Sequence, residues 1–102
     1  MLKKTRAVAI SPAVKKAVAE RDSGMCVFCG RPGFPHCHYI SRAQFGLGIE
    51  QNILTLCDWC HRRYDSSLDR KQMREVFREY LKGKYSDWNE AALIYRKWGD
   101  VS

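Results

Sequence analysis

The sequence has no apolar run long enough to cross a membrane. Its unbroken apolar stretches are only a few residues long, whereas a membrane-spanning helix needs about 20. The first ten residues are basic at the start, and their apolar stretch ends too early for a signal peptide. The chain also contains no internal repeat and no low-complexity segment. We therefore expect a protein without a membrane segment and with a cytoplasmic location.

Acidic residues are scarce relative to basic ones. The 102 residues include 11 Asp and Glu against 18 Lys and Arg, which gives a formal net charge of +7. Apolar residues make up 45% of the chain, too many for a disordered basic tail. A chain of this length forms one domain. We expect a single folded domain over 1–102 with an anionic partner such as DNA.

Local signals predict a mixture of helices and strands in the first two thirds of the chain. A serine followed by proline favours the start of a helix over 12–21. Two β-compatible segments, 36–40 and 49–56, are separated by a glycine-containing turn and predict an irregular antiparallel pair. A helix that Asp58 could cap follows the second strand.

Two further helices are expected in the C-terminal third. The first spans about 69–82, with Asp69 as its cap and Gly83 as its end. Its apolar side chains recur at helical spacing and are Met73, Val76, Phe77, Tyr80 and Leu81. The second spans about 87–98, and Asp87 with Glu90 resembles a capping box at its start. Its inward side chains would be Trp88, Ala91, Ala92, Tyr95 and Trp98.

Four of the five cysteines form two Cys-x-x-Cys pairs. Without an export signal, disulfides are disfavoured and the thiols stay available for metal or catalysis. Cys26 and Cys29, with Cys57 and Cys60, supply four sulfur ligands for a tetrahedral zinc ion. Reduced structural cysteines or a redox role are the alternatives. The residues from Cys57 to His61 also match a haem-attachment pattern, but that requires an oxidising compartment and leaves the first pair without a role.

The residues around these pairs form a longer pattern. It runs from Cys26-x-x-Cys29-Gly30 through His36-Cys37-His38-Tyr39-Ile40 to Asn52 and Cys57-x-x-Cys60-His61, with Asp65 one helical turn later. Over about residues 21–66 this pattern resembles the HNH endonuclease family, in the subgroup whose ββα-metal core carries a four-cysteine zinc site. The resemblance implies an α+β fold built on that core, to which the predicted N-terminal helix and the two predicted C-terminal helices are added. The flanking helices are similar to those of small phage-encoded members.

The resemblance also implies roles for individual residues. His38 would be the general base, which suits a side chain whose pKa lies near neutrality. Asn52 would hold the loop and orient the base. His61 and Asp65, four residues apart on a helix, would bind a catalytic divalent ion such as Mg²⁺, Mn²⁺, Ni²⁺ or Zn²⁺. The alternatives are a strand histidine without a catalytic role, an asparagine at a strand end, and a surface ion pair of Asp65 with a neighbouring arginine.

The third ligand of this catalytic ion is left open by the sequence. In the family it usually precedes the general base directly, and Cys37 occupies that position here. A thiolate favours softer ions than Mg²⁺. His36 lies two residues from His38 and would share its strand face. Either residue, or neither, could complete the site.

Basic residues indicate how DNA would bind. Arg42, Arg62 and Arg63 flank the expected site and would position phosphates without reading sequence. Further basic residues extend the positive surface, namely Lys15, Lys16, Arg21, Arg70, Lys71, Arg74 and Arg78.

The function that the resemblance implies is metal-dependent cleavage of duplex DNA, and as in the family the products would carry a 5′ phosphate and a 3′ hydroxyl. A domain of this size has little surface for reading bases, so we expect weak sequence preference. The phage-like resemblance implies a terminase or portal as a further partner, and we expect a monomer or weak dimer. The alternatives are a non-catalytic zinc-ribbon DNA-binding module and a zinc-stabilised protein-interaction domain.

Overall fold

Helices surround a small sheet in this protein. The computed structural model describes the backbone of residues 3–96 and the side chains of residues 5–96. The helices are α1 (Lys3–Val8), α2 (Pro12–Arg21), α3 (Asp58–Ser66) and α4 (Arg70–Lys84), and the strands are β1 (Phe34–His38) and β2 (Ile53–Leu56). Three short 3₁₀ turns lie at Arg42–Gln44, Glu50–Asn52 and Glu90–Leu93. The fold is therefore mixed α/β, and none of its described helices has the length and apolarity to cross a membrane.

The two strands pair in the antiparallel orientation that the sequence predicts. Cys37 lies opposite Leu54, and the register shifts between Phe34 and Cys37. The predicted segments were 36–40 and 49–56, but β1 already ends at His38 and β2 begins only at Ile53. Both strands are therefore shorter than predicted at the ends that face the connecting loop. The reason is that the residues after β1 bond to Asn52, whose side chain replaces part of the expected strand ladder.

Helix α2 has the predicted bounds of 12–21. The Ser11 hydroxyl accepts a hydrogen bond from the Val14 N–H at 3.2 Å, and proline occupies the first helical position. At the other end, Arg21 donates to the Ile53 carbonyl at 2.7 Å, while Asp22 accepts from the Thr55 N–H at 3.1 Å. These bonds hold α2 against β2.

Helix α3 begins at the expected place with a different cap. The Cys57 sulfur accepts from the Cys60 N–H, so Cys57 is the cap and the prediction of Asp58 is wrong. The Tyr64 hydroxyl donates to the Tyr39 carbonyl at 2.7 Å, which ties α3 to the end of β1.

Helix α4 is confirmed with shifted bounds, Arg70–Lys84 in place of 69–82. Gly83 does not end it, because one glycine in a helix costs only about 1 kcal/mol and packing of the preceding turns offsets that cost. The buried face consists of Met73, Phe77 and Leu81. Val76, which shares the helical spacing of these residues, is 42% exposed and lies outside the buried face.

The predicted helix over 87–98 is wrong for the described residues. The chain forms only the 3₁₀ turn at Glu90–Leu93, which Asn89 caps by accepting from the Ala91 N–H. Its Ala91 and Ala92 are exposed, in place of the inward position expected for them, whereas Leu93 is buried. Trp98 lies outside the described residues.

Interactions from elsewhere in the chain explain this difference. The Glu90 carboxylate accepts from Arg74 at 2.8 Å and from Arg78 at 3.1 Å. Beyond the turn, Ile94 forms a β-bridge with Gly46. Extended backbone that pairs with a loop cannot continue a helix, and tertiary contacts of this kind override local propensity.

Candidate metal centre and histidine cleft

The four paired cysteines converge at one point between the loop before β1 and the start of α3. The sulfur atoms of Cys26, Cys29, Cys57 and Cys60 all lie within 4.8 Å of one another. In each pair the first sulfur accepts from the backbone N–H of the second cysteine, at 3.5 Å and 3.4 Å. Among the residues that the structure describes, no other group of three or more His, Cys, Asp or Glu residues brings its ligand atoms this close.

The donor set of this cluster fits a structural metal such as zinc. Four thiol sulfurs at short mutual distances match tetrahedral coordination, in which each ligand is a thiolate. Burial opposes ionisation of Cys26, but hydrogen bonds from the backbone N–H groups of Cys29, Cys57 and Phe28 outweigh it and lower its pKa to about 7. Three of the four side chains are buried, and that of Cys29 is exposed. The four cysteines predicted to bind metal thus form one cluster in the fold, with an arrangement that could hold an ion.

A separate cleft gathers all three histidines of the chain. It has a volume of about 520 Å³ and lies between the N-terminal segment, the end of β1 and the outer face of α3. Its lining consists of Ala9, Ile10, Lys15, His36, His38, Ser41, Arg42, His61 and Asp65. Imidazoles, one carboxylate and two cationic side chains therefore share one concave surface.

Helix α3 and strand β1 place three possible metal ligands on one side of this cleft. His61 Nε2 lies 3.4 Å from the Asp65 carboxylate, one helical turn along α3. The ring of His36 packs edge-on against that of His61, with centroids 5.0 Å apart. Burial and the nearby His61 lower the pKa of His36. A neutral imidazole keeps a lone pair available for a cation.

Cys37 lies on the opposite side of β1. Its side chain is 1% exposed, and it packs in the core opposite Leu54. Burial raises the pKa of the Cys37 thiol. Of the two candidates for a third ligand, the structure brings only His36 into the cleft.

His38 is held by a backbone carbonyl from the N-terminal segment. Its Nε2 lies 2.8 Å from the Val8 oxygen. Since a carbonyl only accepts, this nitrogen carries the hydrogen, which leaves the lone pair of the neutral ring on Nδ1. Burial lowers the pKa of His38, and the positive charge of Arg42 acts in the same direction. Both effects favour the neutral form of the ring, and the hydrogen bond to the Val8 carbonyl acts in the opposite direction.

Asn52 fixes the loop between the strands. It is fully buried, and its side-chain oxygen accepts from the Ile40 N–H at 2.9 Å. Its amide nitrogen donates to the Ile40 carbonyl at 3.2 Å and to the Leu47 carbonyl at 2.8 Å. The loop held in this way carries Arg42 to the edge of the cleft.

The three arginines expected at the site occupy different places. Arg42 lines the cleft, and Arg62 lines a neighbouring depression with its guanidinium 5.9 Å from the Trp59 ring. Arg63 bonds to Asp69 at 3.0 Å instead. The Trp59 side chain itself is 59% exposed.

Sequence reasoning missed the contribution of the N-terminal segment to the cleft. Helix α1 was not expected, because residues 3–8 have no capping signal. The sequence predicted Lys15 only as one of the basic residues that extend the positive surface, whereas the structure places it in the lining of the cleft. The Val8 carbonyl is a backbone group and leaves no trace in a residue pattern. Comparison with protein-family models found no match, and neither did comparison with the curated proteins.

Proposed function

We propose that this protein is a metal-dependent DNA endonuclease of the HNH type. The observation that carries the proposal is the convergence of His36, His38, His61 and Asp65 in one cleft beside Arg42. A DNA-binding module has no use for this arrangement, since phosphate binding needs only cations and backbone N–H groups. Hydrolysis of a phosphodiester needs a general base, stabilisation of the charge that develops at phosphorus, and groups that bind the DNA backbone. The cleft contains residue types for each of these tasks.

His38 is the general base of the proposed reaction. Its Nδ1 takes a proton from water while the water oxygen bonds to phosphorus and the bond from phosphorus to the 3′ oxygen breaks. The products are a 5′ phosphate and, after the leaving oxygen gains a proton, a 3′ hydroxyl. Burial favours the neutral form of the ring, which is the form that can accept a proton.

His61, Asp65 and His36 are the proposed ligands of the catalytic ion. When bound, a divalent cation there would stabilise the negative charge that develops on the scissile phosphate and the leaving oxygen. We choose His36 over Cys37 because its ring contacts His61, whereas Cys37 is buried in the core. Asp65 supplies a carboxylate that is well exposed to the cleft.

The remaining parts of the proposal concern binding. Arg42 and Lys15 line the cleft and would contact the phosphates on either side of the cut, with Arg62 farther along the strand. Zinc on the four cysteines would stabilise the fold and take no part in the reaction. A domain of this size offers little surface for reading bases, so we propose weak sequence preference. A phage terminase or portal is the proposed protein partner.

The test is nicking of supercoiled plasmid by the zinc-loaded protein with Mg²⁺, Mn²⁺, Ni²⁺ or added Zn²⁺. The key variant is His38→Gln, whose amide can still donate to the Val8 carbonyl but cannot act as a base. We expect it to lose at least about 100-fold in rate. Lys82→Gln, an exposed cation outside the cleft lining and outside the basic residues assigned to the DNA surface, is the control and should cut normally.

Two outcomes would contradict the proposal. Equal cutting by His38→Gln and the unchanged protein would show that His38 is not the base. A folded, zinc-containing protein that cuts with none of the four ions and yet binds DNA would be a non-catalytic zinc-ribbon module. A third variant, Asp65→Asn, should raise the concentration of ion needed for half-maximal cutting.

A further inference from the structure

We propose that residues 7–9 form a positioning element for His38, docked through Gly48 onto the loop that Asn52 holds. The catalytic consequence rests on the proposed function. The docking itself is a property of the fold and can be measured without any cleavage. The element lies outside the pattern from Cys26 to Asp65, and nothing in that pattern requires it.

The first contact is the hydrogen bond between His38 and the Val8 carbonyl. His38 Nε2 lies 2.8 Å from this oxygen, and the Val8 side chain is only 4% exposed. Val8 is thus anchored by its own burial while its carbonyl holds the imidazole. The bond fixes both the ring orientation and the nitrogen that carries the hydrogen.

The second contact is a close approach of backbone to backbone at Gly48. The Gly48 N–H donates to the Ala7 carbonyl at 2.9 Å. A Cβ atom at position 48 would lie 2.0 Å from the Ala9 oxygen and 2.6 Å from the Ala9 carbonyl carbon. Both are backbone atoms, which cannot rotate away as a flexible side chain could. Only glycine lets the segment sit this close.

The third contact joins this docking site to Asn52. The amide of Asn52 donates to the Leu47 carbonyl at 2.8 Å, directly before Gly48 in the chain. A continuous path therefore runs from Asn52 through the loop and residues 7–9 to the imidazole. In this structure Asn52 acts on His38 from a distance, by holding the surface on which the N-terminal segment rests.

The readout is the ring hydrogen of His38, observed by NMR on the full zinc-loaded chain with ¹⁵N-labelled histidine. The sample is kept well above the ordinary histidine pKa, so that all three rings are neutral. The chain has three histidines, and His38→Gln identifies the signal. We expect a single tautomer with hydrogen on Nε2 and slow exchange of that hydrogen with water.

The variant that tests the path is Gly48→Ala, because its methyl group must displace residues 7–9. We expect loss of exchange protection at His38. In plasmid nicking, we expect kcat to fall at least about tenfold, with KM for DNA nearly unchanged, since positioning acts on the chemical step. The matched control is Gly83→Ala, where a Cβ meets no atom within 4 Å. It should keep the protected signal and full activity.

Each outcome bears on one of the two proposals. Rapid exchange or the other tautomer in the unchanged protein overturns the positioning element, whether or not the protein cuts DNA. Normal kcat in a Gly48→Ala variant that has lost protection also overturns it. A protected signal that Gly48→Ala abolishes, in a protein that cuts no DNA, supports the docking and overturns the nuclease.

A Gly48→Ala variant that fails to fold is replaced by an amide-to-ester exchange between Val8 and Ala9. This exchange weakens the Val8 carbonyl as an acceptor and changes no side chain, and it also removes the Ala9 N–H that donates to the Thr5 carbonyl at 3.2 Å. Loss of protection and of kcat supports the proposal, and an unchanged signal overturns it.

Discussion

At the scale of single residues, one buried ion pair joins α2 to the sheet. Arg21 Nε lies 2.7 Å from the Asp22 carboxylate, which is almost fully buried. The same carboxylate accepts hydrogen bonds from the Thr55 N–H and from the Tyr80 hydroxyl. Because every partner is present, the charge of Asp22 is satisfied, and removing one partner would leave a buried group unpaired.

This pair makes stability depend on pH in a defined direction. Burial disfavours the charged carboxylate of Asp22, but hydrogen bonds from Arg21 and Tyr80 outweigh it and hold its pKa below the ordinary 3.8. The pKa of the folded state is thus lower than that of the unfolded state. The resulting stabilisation is present above the unfolded value and is lost as pH falls through the folded value.

We therefore expect the free energy of unfolding to fall more steeply with acid in the unchanged protein than in Asp22→Asn. Urea unfolding between neutral pH and about pH 2 measures this difference. Tyr80→Phe, which removes one donor, should give an intermediate slope. Parallel curves for the unchanged protein and Asp22→Asn would mean that Asp22 titrates alike in both states.

At the scale of elements, α4 presents one narrow face to the core. Met73, Phe77 and Leu81 follow one another at intervals of four and are buried, while Val76 lies on the flank and is 42% exposed. The Phe77 ring packs edge-on against Tyr64 of α3, with centroids 4.9 Å apart. Phe77 therefore holds the helix that carries His61 and Asp65.

Truncating two adjacent residues of α4, one on the buried face and one on the flank, should change the free energy of unfolding by very different amounts. Phe77→Ala is expected to lower the free energy of unfolding by about 3–5 kcal/mol, because it removes a large buried ring and leaves a cavity. Val76→Ala, the matched control, should change it by less than about 0.5 kcal/mol. Urea unfolding at neutral pH measures both. Equal losses would mean that the helix is rotated about its axis.

The sequence predicts those elements whose signals are local. Helix α2 has its serine cap and proline within four residues, and α4 has an uninterrupted apolar stripe. The segment over 87–98 has similar signals, but Glu90 is drawn to Arg74 and Arg78 on α4. That attraction acts between residues distant in sequence, which a local pattern does not contain.

The same distinction applies to the cleft. The family resemblance implies that His38, His61 and Asp65 share a site, and the structure places them in one cleft. The choice between His36 and Cys37 depends on which side of β1 each faces, and so on a strand register with a bulge. The Val8 carbonyl could not be predicted at all, since every residue has one.

At the scale of the whole molecule, the four-cysteine cluster joins two halves of the chain. Cys26 and Cys29 lie between α2 and β1, and Cys57 and Cys60 lie at the start of α3. A domain of about 100 residues has limited apolar burial to offset the entropy of folding. Metal binding at such a junction contributes directly to the free energy of folding, because the unfolded chain has no preformed site.

We expect about one zinc ion per chain, with loss of the cooperative unfolding transition when a strong chelator removes it. Metal analysis and thermal unfolding measure the two quantities. Cys26→Ser should bind less zinc and unfold at a lower temperature. Cys37→Ala is the matched control, since Cys37 is buried outside the cluster; it should keep the zinc while losing some packing.

The comparison of these two variants separates a metal clamp from ordinary packing of thiols. Cys26→Ser and Cys37→Ala could prove equally stable, and the chelated protein could keep its cooperative unfolding transition. The cluster would then contribute only apolar contacts, and the protein would fold without metal. With zinc as the clamp, chelation would abolish the proposed DNA cutting for two separate reasons, loss of the fold and loss of the proposed catalytic ion. Adding Mg²⁺ back to the chelated protein distinguishes them, because hard magnesium does not replace zinc on four thiolates. We therefore expect Mg²⁺ to restore neither the transition nor the cutting.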